Sequence, residues 1–292
     1  MVSSFGESEA MPSRRSLLRS VGAAWLVTRL PGAHGAEPLR FGIVPYLPVR
    51  RLVGYYSPLL PVLADTLGRP AEITCAHDYR DHLDRLRTGH FDVVADSLFI
   101  ARIAQRELGN VPVARTLARL EPLLVVPTTS GLSRLAELRG QHICVTDRIA
   151  ALSLVGLRYL RDQGLAPDQQ VHILVSGSHA NSLHRLLAGD AAAAIVSRTT
   201  LKQVDAELVR QVRVLAVLPP ALAAVVYHVA PHLAPQAGAL SRALLDFANR
   251  SAPGRQFIAA LGHQGLAVMT SAELHSLDPM VVEFYRQLAV SD

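Results

Sequence analysis

The chain has 292 residues, with 29 Lys and Arg against 24 Asp and Glu, for a formal net charge of +5. Four Arg and two Glu fall in the first 36 residues, so the remainder carries only +3, and its basic residues are scattered. With no basic run or stripe, and with Lys202 the only lysine, the charge reflects arginine usage and excludes a nucleic-acid partner.

In chain order the first feature is Ser13-Arg14-Arg15-Ser16-Leu17-Leu18-Arg19, which resembles a twin-arginine export signal with Leu17 in the aromatic position and Arg19 in the lysine position. A short apolar stretch, Val21 to Val27, and the small residues Ala33-His34-Gly35-Ala36 follow in the order such signals require. Arg29 interrupts the stretch, which is shorter than the ~20 apolar residues that span a bilayer. Residues 1–36 are therefore read as a signal that sends the chain to the periplasm, either cleaved or kept as an anchor. An ordinary N-terminal helix is the alternative. No later run reaches membrane length, and the rest of the chain is enough for one large domain or two modest lobes.

Beyond the signal, "FGIVPY" reads as a strand leading into a helix through Leu52-Val53-Gly54. Next comes a segment that is repeated 100 residues later. Arg85 to Ser97, "RLRTGHFDVVADS", aligns with Arg185 to Ser197, "RLLAGDAAAAIVS". Each reads as a helix end, a Gly stop, a short apolar strand and a polar residue at the strand's end. Gly89 and Gly189 fit left-handed C-caps, where a side chain would clash. Tyr79 and His179 stand at matching offsets before the two helices. An earlier, looser pair is "HICVTD", which leads into a helix through Leu154-Val155-Gly156. Strand, helix, strand, helix, strand is thus given twice, which predicts an α/β protein with ligand sites beyond the carboxyl ends of the strands.

Between the repeats, Leu123 to Val126 reads as a strand that leaves the first lobe and stops at Pro127. A short amphipathic helix starts at Leu135 and Leu138. Val214 to Val229 reads as the crossover back, broken at Pro219-Pro220. Two extended crossovers predict a hinge and a cleft that closes on its ligand. Pro235 to Leu288 reads as surface helices packed back on the first lobe. The expected division is 1–36 signal, 37–126 with 218–292 as lobe one, and 127–217 as lobe two.

Cys75 and Cys144 fall in strand-like runs and are read as buried thiols, with a disulfide as the alternative in an oxidising compartment. The histidines, among them His82, His142, His172, His228 and His263, show no metal-ligand spacing, and no cofactor is expected. No G-x-S-x-G, P-loop or H-E-x-x-H motif is present.

"LRFGIVPY", "HDYRDHLDRLRTGHFDVVADS", "SGLSRLAELRGQHICV" and "GSHANSLHRLLAGDAAAAIVS" together resemble the periplasmic solute-binding proteins of phosphonate, phosphate and phosphite ABC transporters, over roughly Leu39 to Leu266. The resemblance implies a type-2 periplasmic-binding fold, two lobes around a cleft, and a monomer that captures a small polar or anionic solute for a membrane permease. It places Tyr46 after the first strand, Asp78-Tyr79 before the second helix, and Ser178-His179 in lobe two. The family's Ser/Thr phosphate cradle corresponds to Thr146-Asp147-Arg148-Ile149-Ala150-Ala151-Leu152-Ser153, where Ala150, Ala151 and Leu152 replace the hydroxyls.

The expected ligand-binding set is Tyr46, Tyr79, Asp96, Ser97, Thr146, Arg148, His179 and Ser197. Tyr46 and Tyr79 would stack on or hydrogen-bond the ligand, His179 would donate to it, and Arg148 would clamp an oxyanion bidentately. Asp96 is read as a cleft carboxylate that would repel an oxyanion unless the ligand also carries a cation, as an aminophosphonate does. Plain structural roles stand beside these: half-buried tyrosines at strand ends, turn caps for Asp96, Ser97 and Ser197, and solvated surface for Arg148. Two other functions stay open. One is a sensory subunit whose closed form reports to a membrane histidine kinase. The other is an enzyme on the same fold, similar to menaquinone-pathway lyases, with Asp96 and His179 as acid and base.

Overall fold

Two open sheets organise the protein, which a computed structural model describes over residues 37–202 and 204–290. The export-signal segment lies outside the described residues. The chain runs through β1 (Leu39–Ile43), α1 (Val49–Tyr56), α2 (Leu60–Leu67), β2 (Ala71–Cys75), α3 (Tyr79–Arg87), β3 (Val93–Asp96), α4 (Leu98–Leu108) and β4 (Val111–Thr116). It crosses to β5 (Pro122–Pro127), β6 (His142–Val145), α5 (Ala151–Asp162), β7 (His172–Val175), α6 (His179–Leu187), β8 (Ala193–Ser197), α7 (Arg198–Leu201), α8 (Ala206–Arg210) and β9 (Val212–Val217). It returns through β10 (Val226–Val229), α9 (Ala237–Arg250), α10 (Ala252–Ala260), β11 (Leu266–Ala267), α11 (Ser271–His275) and α12 (Asp278–Val290).

The sheet orders are β11-β4-β10-β3-β1-β2 and β7-β6-β8-β5-β9. In each, the repeat supplies a parallel trio, β2-β1-β3 and β7-β6-β8, so the strand–helix alternation is realised twice. Gly89 and Gly189 follow the ends of α3 and α6 with φ of 69° and 86°, the left-handed backbone that makes glycine the favoured residue there. β1 and β3 read as apolar runs because both their faces are covered. Leu52, Leu63, Leu240 and Phe257 pack on one side of the first sheet, and Leu83, Ile100 and Phe284 on the other. Each such side chain contributes about 1.5–3 kcal/mol on burial.

β5 corrects the expected lobe boundary. It pairs with β8 and β9 rather than extending lobe one, so the first crossover is 117–121, ahead of Pro122. Residues 218–225 form the return, and the two crossovers run side by side. Leu120 N–H donates to Ala221 O at 3.2 Å, and Ala221 N–H donates to Leu120 O at 2.8 Å. The segment Leu135–Leu138 is a single 3-10 turn. β4, which carried no sequence expectation, sits between β10 and β11. Cys75 and Cys144 are free thiols in different sheets.

α9 and α10 cover the first sheet as expected, but α12 departs from that expectation by packing against both α4 and α5. Glu283 of α12 is buried and ion-pairs with Arg161 of α5. Gln287 of α12 accepts from Arg148 Nη1 at 3.0 Å. An apolar cluster containing Ile100 and Ile103 of α4, Ala151 and Leu154 of α5, and Phe284 of α12 joins the two sheets' helix layers.

Candidate functional site

The carboxyl ends of the two parallel trios meet at an inter-lobe cavity of about 70 Å³. Val44 and Tyr46 enter it after β1, Tyr79 at the first residue of α3, and Ser97 after β3. The second lobe answers in the same order: Ala150, Ala151 and Leu152 after β6, His179 at the first residue of α6, and Ser197 and Thr199 after β8. Leu120, Ala224 and Val225 of the crossovers and Leu261 and His263 after α10 complete the wall. The repeat therefore has a geometric meaning: each unit places the same three strand ends on one cavity.

Local capping explains which groups are free to act. Asp78 caps α3 by accepting from Asp81 N at 2.8 Å, and Ser178 caps α6 by accepting from Asn181 N at 3.2 Å. α4 and α5, one from each lobe, have Ser97 and Ala150 at their N-cap positions, and neither makes a side-chain capping bond. Uncapped first-turn amides carry the positive end of the helix dipole, and they favour an anion. The Ser97 hydroxyl is buried and has no partner among the described residues, so it is available to a ligand. No Lys, Arg, Asp or Glu is among the described residues lining the cavity.

His179 lines this space as a neutral imidazole, because burial lowers its pKa to about 4. Its Nδ1 lies 2.9 Å from the Thr146 hydroxyl. With Thr146 donating, the proton rests on Nε2, the tautomer that donates to an acceptor. Burial also raises the pKa of Tyr46 and of Tyr79 well above the usual tyrosine value, so both stay protonated donors.

The structure brings five of the expected residues together on the cavity: Tyr46, Tyr79, Ser97, His179 and Ser197. Thr146, Asp96 and Arg148 do not line it. Thr146 stands behind His179, with its hydroxyl 2.9 Å from Nδ1. Asp96 corrects the expectation of a cleft carboxylate, because it is fully buried within lobe one. Its Oδ2 meets His82 Nε2 at 3.2 Å and His228 Nε2 at 3.3 Å, and its Oδ1 accepts from Ser97 N at 2.7 Å. Burial pushes this carboxyl up, but the two imidazoles outweigh it and hold the pKa at about 2. Arg148 is not a ligand clamp in this arrangement. Its guanidinium grips Asp168 bidentately, at 2.8 and 2.7 Å, and Gln287 at 3.0 Å. A carboxylate offers it a charged, fork-matched partner, which a ligand would have to displace.

The whole-chain comparison decides the family. Residues 41–274 match the family model of the periplasmic substrate-binding proteins of phosphonate ABC transporters. The chain belongs to this family. Its members bind small ligands and deliver them to ABC permeases, and the chain is accordingly a periplasmic binding protein. No curated protein sequence shows significant similarity to it. Among solved structures, PhnD1 of Prochlorococcus marinus in complex with methylphosphonate superposes with a TM-score of 0.77 at 12% identity, covering 85% of this chain and 98% of that one. The binding-protein component of an ABC phosphonate transporter from Pseudomonas aeruginosa gives 0.75 at 16% identity, covering 88% and 89%. A histidine kinase sensor domain that resembles periplasmic binding proteins matches less well, with 0.56 at 17% identity over 78% and 98%. The fold is thus the two-lobed periplasmic-binding architecture.

Within this family member, sequence reasoning missed the cavity residues that come from outside the repeat. Thr199, Leu120, Ala224, Val225, Leu261 and His263 all line the site. Ala224 and Val225 lie in the return crossover that the proline pair at 219–220 announced, so a signal for them existed, whereas Leu120 lies in the first crossover, ahead of the segment the sequence assigned to it. His263 carried none, because it reaches the cavity only when α10 packs against lobe one and the lobes meet.

Proposed function

We propose that the protein captures a compact phosphonate or phosphite-like oxyanion bearing at most a small apolar substituent. One observation carries this reading. The cavity joins two uncapped helix N-termini and neutral donors to an apolar wall, with no Lys, Arg, Asp or Glu among the described residues that line it. An anion is held there by amide and hydroxyl dipoles, as helix N-termini hold phosphate groups elsewhere. Ala150, Ala151 and Leu152, which stand where family members carry hydroxyls, together with Val44 and Leu120, suit a methyl group better than a fourth phosphate oxygen. With Asp96 directed at His82 and His228, the cationic half of an aminophosphonate is not required.

Calorimetry and thermal melting with methylphosphonate, phosphite, phosphate and sulfate test this. At 100 times Kd a ligand adds about 2.7 kcal/mol to stability, which raises Tm by about 5–10 °C for a domain of this size. Methylphosphonate is expected to give that shift and sulfate none. No response to methylphosphonate, phosphite or phosphate overturns the ligand reading.

Transport rather than sensing is the proposed role, with an ABC permease as partner and a monomer as the binding unit. The mass in solution and ligand-dependent capture by the permease test both. The ligand leaves unchanged, because the carboxylate that an acid–base pair would use is engaged by two imidazoles. Product appearing from a bound phosphonate would refute that. Export is proposed to use Arg14 and Arg15 through the twin-arginine route, so an Arg14→Lys, Arg15→Lys variant should remain in the cytoplasm.

A further inference from the structure

His263 belongs to two spaces at once. It lines the inter-lobe cavity of about 70 Å³ and also a surface groove of about 460 Å³ bounded by Leu117, Asn249, Arg255 and Gln264. His263 therefore stands between them.

Its backbone is held firmly. Gly262 N–H donates to Ala259 O and His263 N–H to Ile258 O, each at 2.9 Å, the paired bonds that close a helix with a left-handed residue. Gly262 supplies that residue, with φ of 71°. A Cβ on Gly262 would lie 2.9 Å from Thr199 Cγ2, so this turn of lobe one packs directly on lobe two beside the cavity. The partition thus stands at the contact between the lobes. The ring is neutral, because burial lowers its pKa to about 4, and its buried Nδ1 has no hydrogen-bond partner among the described residues.

We propose that His263 is the specificity-determining wall that limits the ligand's substituent to about one carbon, and that removing its ring joins the cavity to the groove and admits longer chains. The proposal rests on the oxyanion reading above. An extra methylene accepted or refused by a well-formed pocket changes affinity by about 10-fold or more.

The test is calorimetry of the full chain with methylphosphonate and n-butylphosphonate. The wild type should prefer methylphosphonate by about 10-fold or more. His263→Ala should bring the two within about 3-fold or reverse them, chiefly by strengthening butylphosphonate. Arg255→Ala, which alters only the groove, should leave the wild-type ratio in place. Should His263→Ala fail to fold, His263→Asn shortens the same wall and is read by the same ratio. An unchanged ratio in the His263 variant, or an equal change in Arg255→Ala, overturns the wall while leaving the oxyanion site standing. A wild type that binds neither phosphonate overturns the ligand reading and the wall together.

Discussion

Replacing Asp96 with Asn separates a structural carboxylate from a ligand-facing one. The native group accepts three hydrogen bonds, from His82, His228 and the Ser97 amide, at 3.2, 3.3 and 2.7 Å. Asn110 donates to His228 Nδ1 at 3.0 Å, which keeps the His228 proton on Nε2 and aimed at the carboxylate. An asparagine amide has one acceptor oxygen, and its NH2 opposes a donor imidazole, so at least one buried N–H loses its partner. Breaking a buried ionic or charge-assisted cluster in this way costs about 3–5 kcal/mol. For a domain of this size that lowers Tm by about 6–20 °C. Asp96 does not line the cavity, so the affinity for methylphosphonate should stay within about 3-fold once the variant is folded. Differential scanning calorimetry without ligand, followed by titration below the variant's Tm, measures both. A lost affinity with an unchanged Tm would refute the reasoning and return Asp96 to the cleft.

Gly156 lies where α5 meets β8. A methyl there would come within 2.5 Å of Ile195 Cδ1, so Gly156→Ala should cost about 1–3 kcal/mol by overpacking, with Ile195→Val recovering part of it in urea unfolding. The His179 pKa is depressed to about 4 from an ordinary 6.5, so the unfolded chain binds the extra proton first. Stability from this group is complete above pH 6.5 and falls as pH drops toward 4, by at most about 3 kcal/mol. Unfolding midpoints measured from pH 7.5 to 4.5 should follow that slope, and His179→Gln should flatten it. Glu283 is buried between Arg161 and Arg286 on a helix that touches both lobes. Glu283→Gln should therefore lower stability by about 2 kcal/mol and weaken ligand binding several-fold by releasing the closed form; unchanged affinity would show that α12 does not govern closure.

The repeat at an offset of 100 residues makes the scaffold legible in the sequence. Gly89 and Gly189 and the apolar runs at β3 and β8 are local signals, because glycine conformation and strand burial depend on neighbours in the chain. Tyr79, His179, Ser97 and Ser197 were legible for the same reason: once strand and helix are located, the junction between them points beyond the sheet's carboxyl edge. Direction within the folded chain was not legible. Asp96 and Ser97 are neighbours, yet one turns into lobe one toward two histidines from α3 and β10, while the other faces the cavity. Arg148 had a fork suited to an oxyanion, but Asp168 and Gln287, 20 and 139 residues away, arrive to take it. His263 becomes a wall only because α10 docks on the first sheet and its turn meets Thr199 of the other lobe. Such roles depend on contacts between distant segments, whose pairing is decided by how the layers pack.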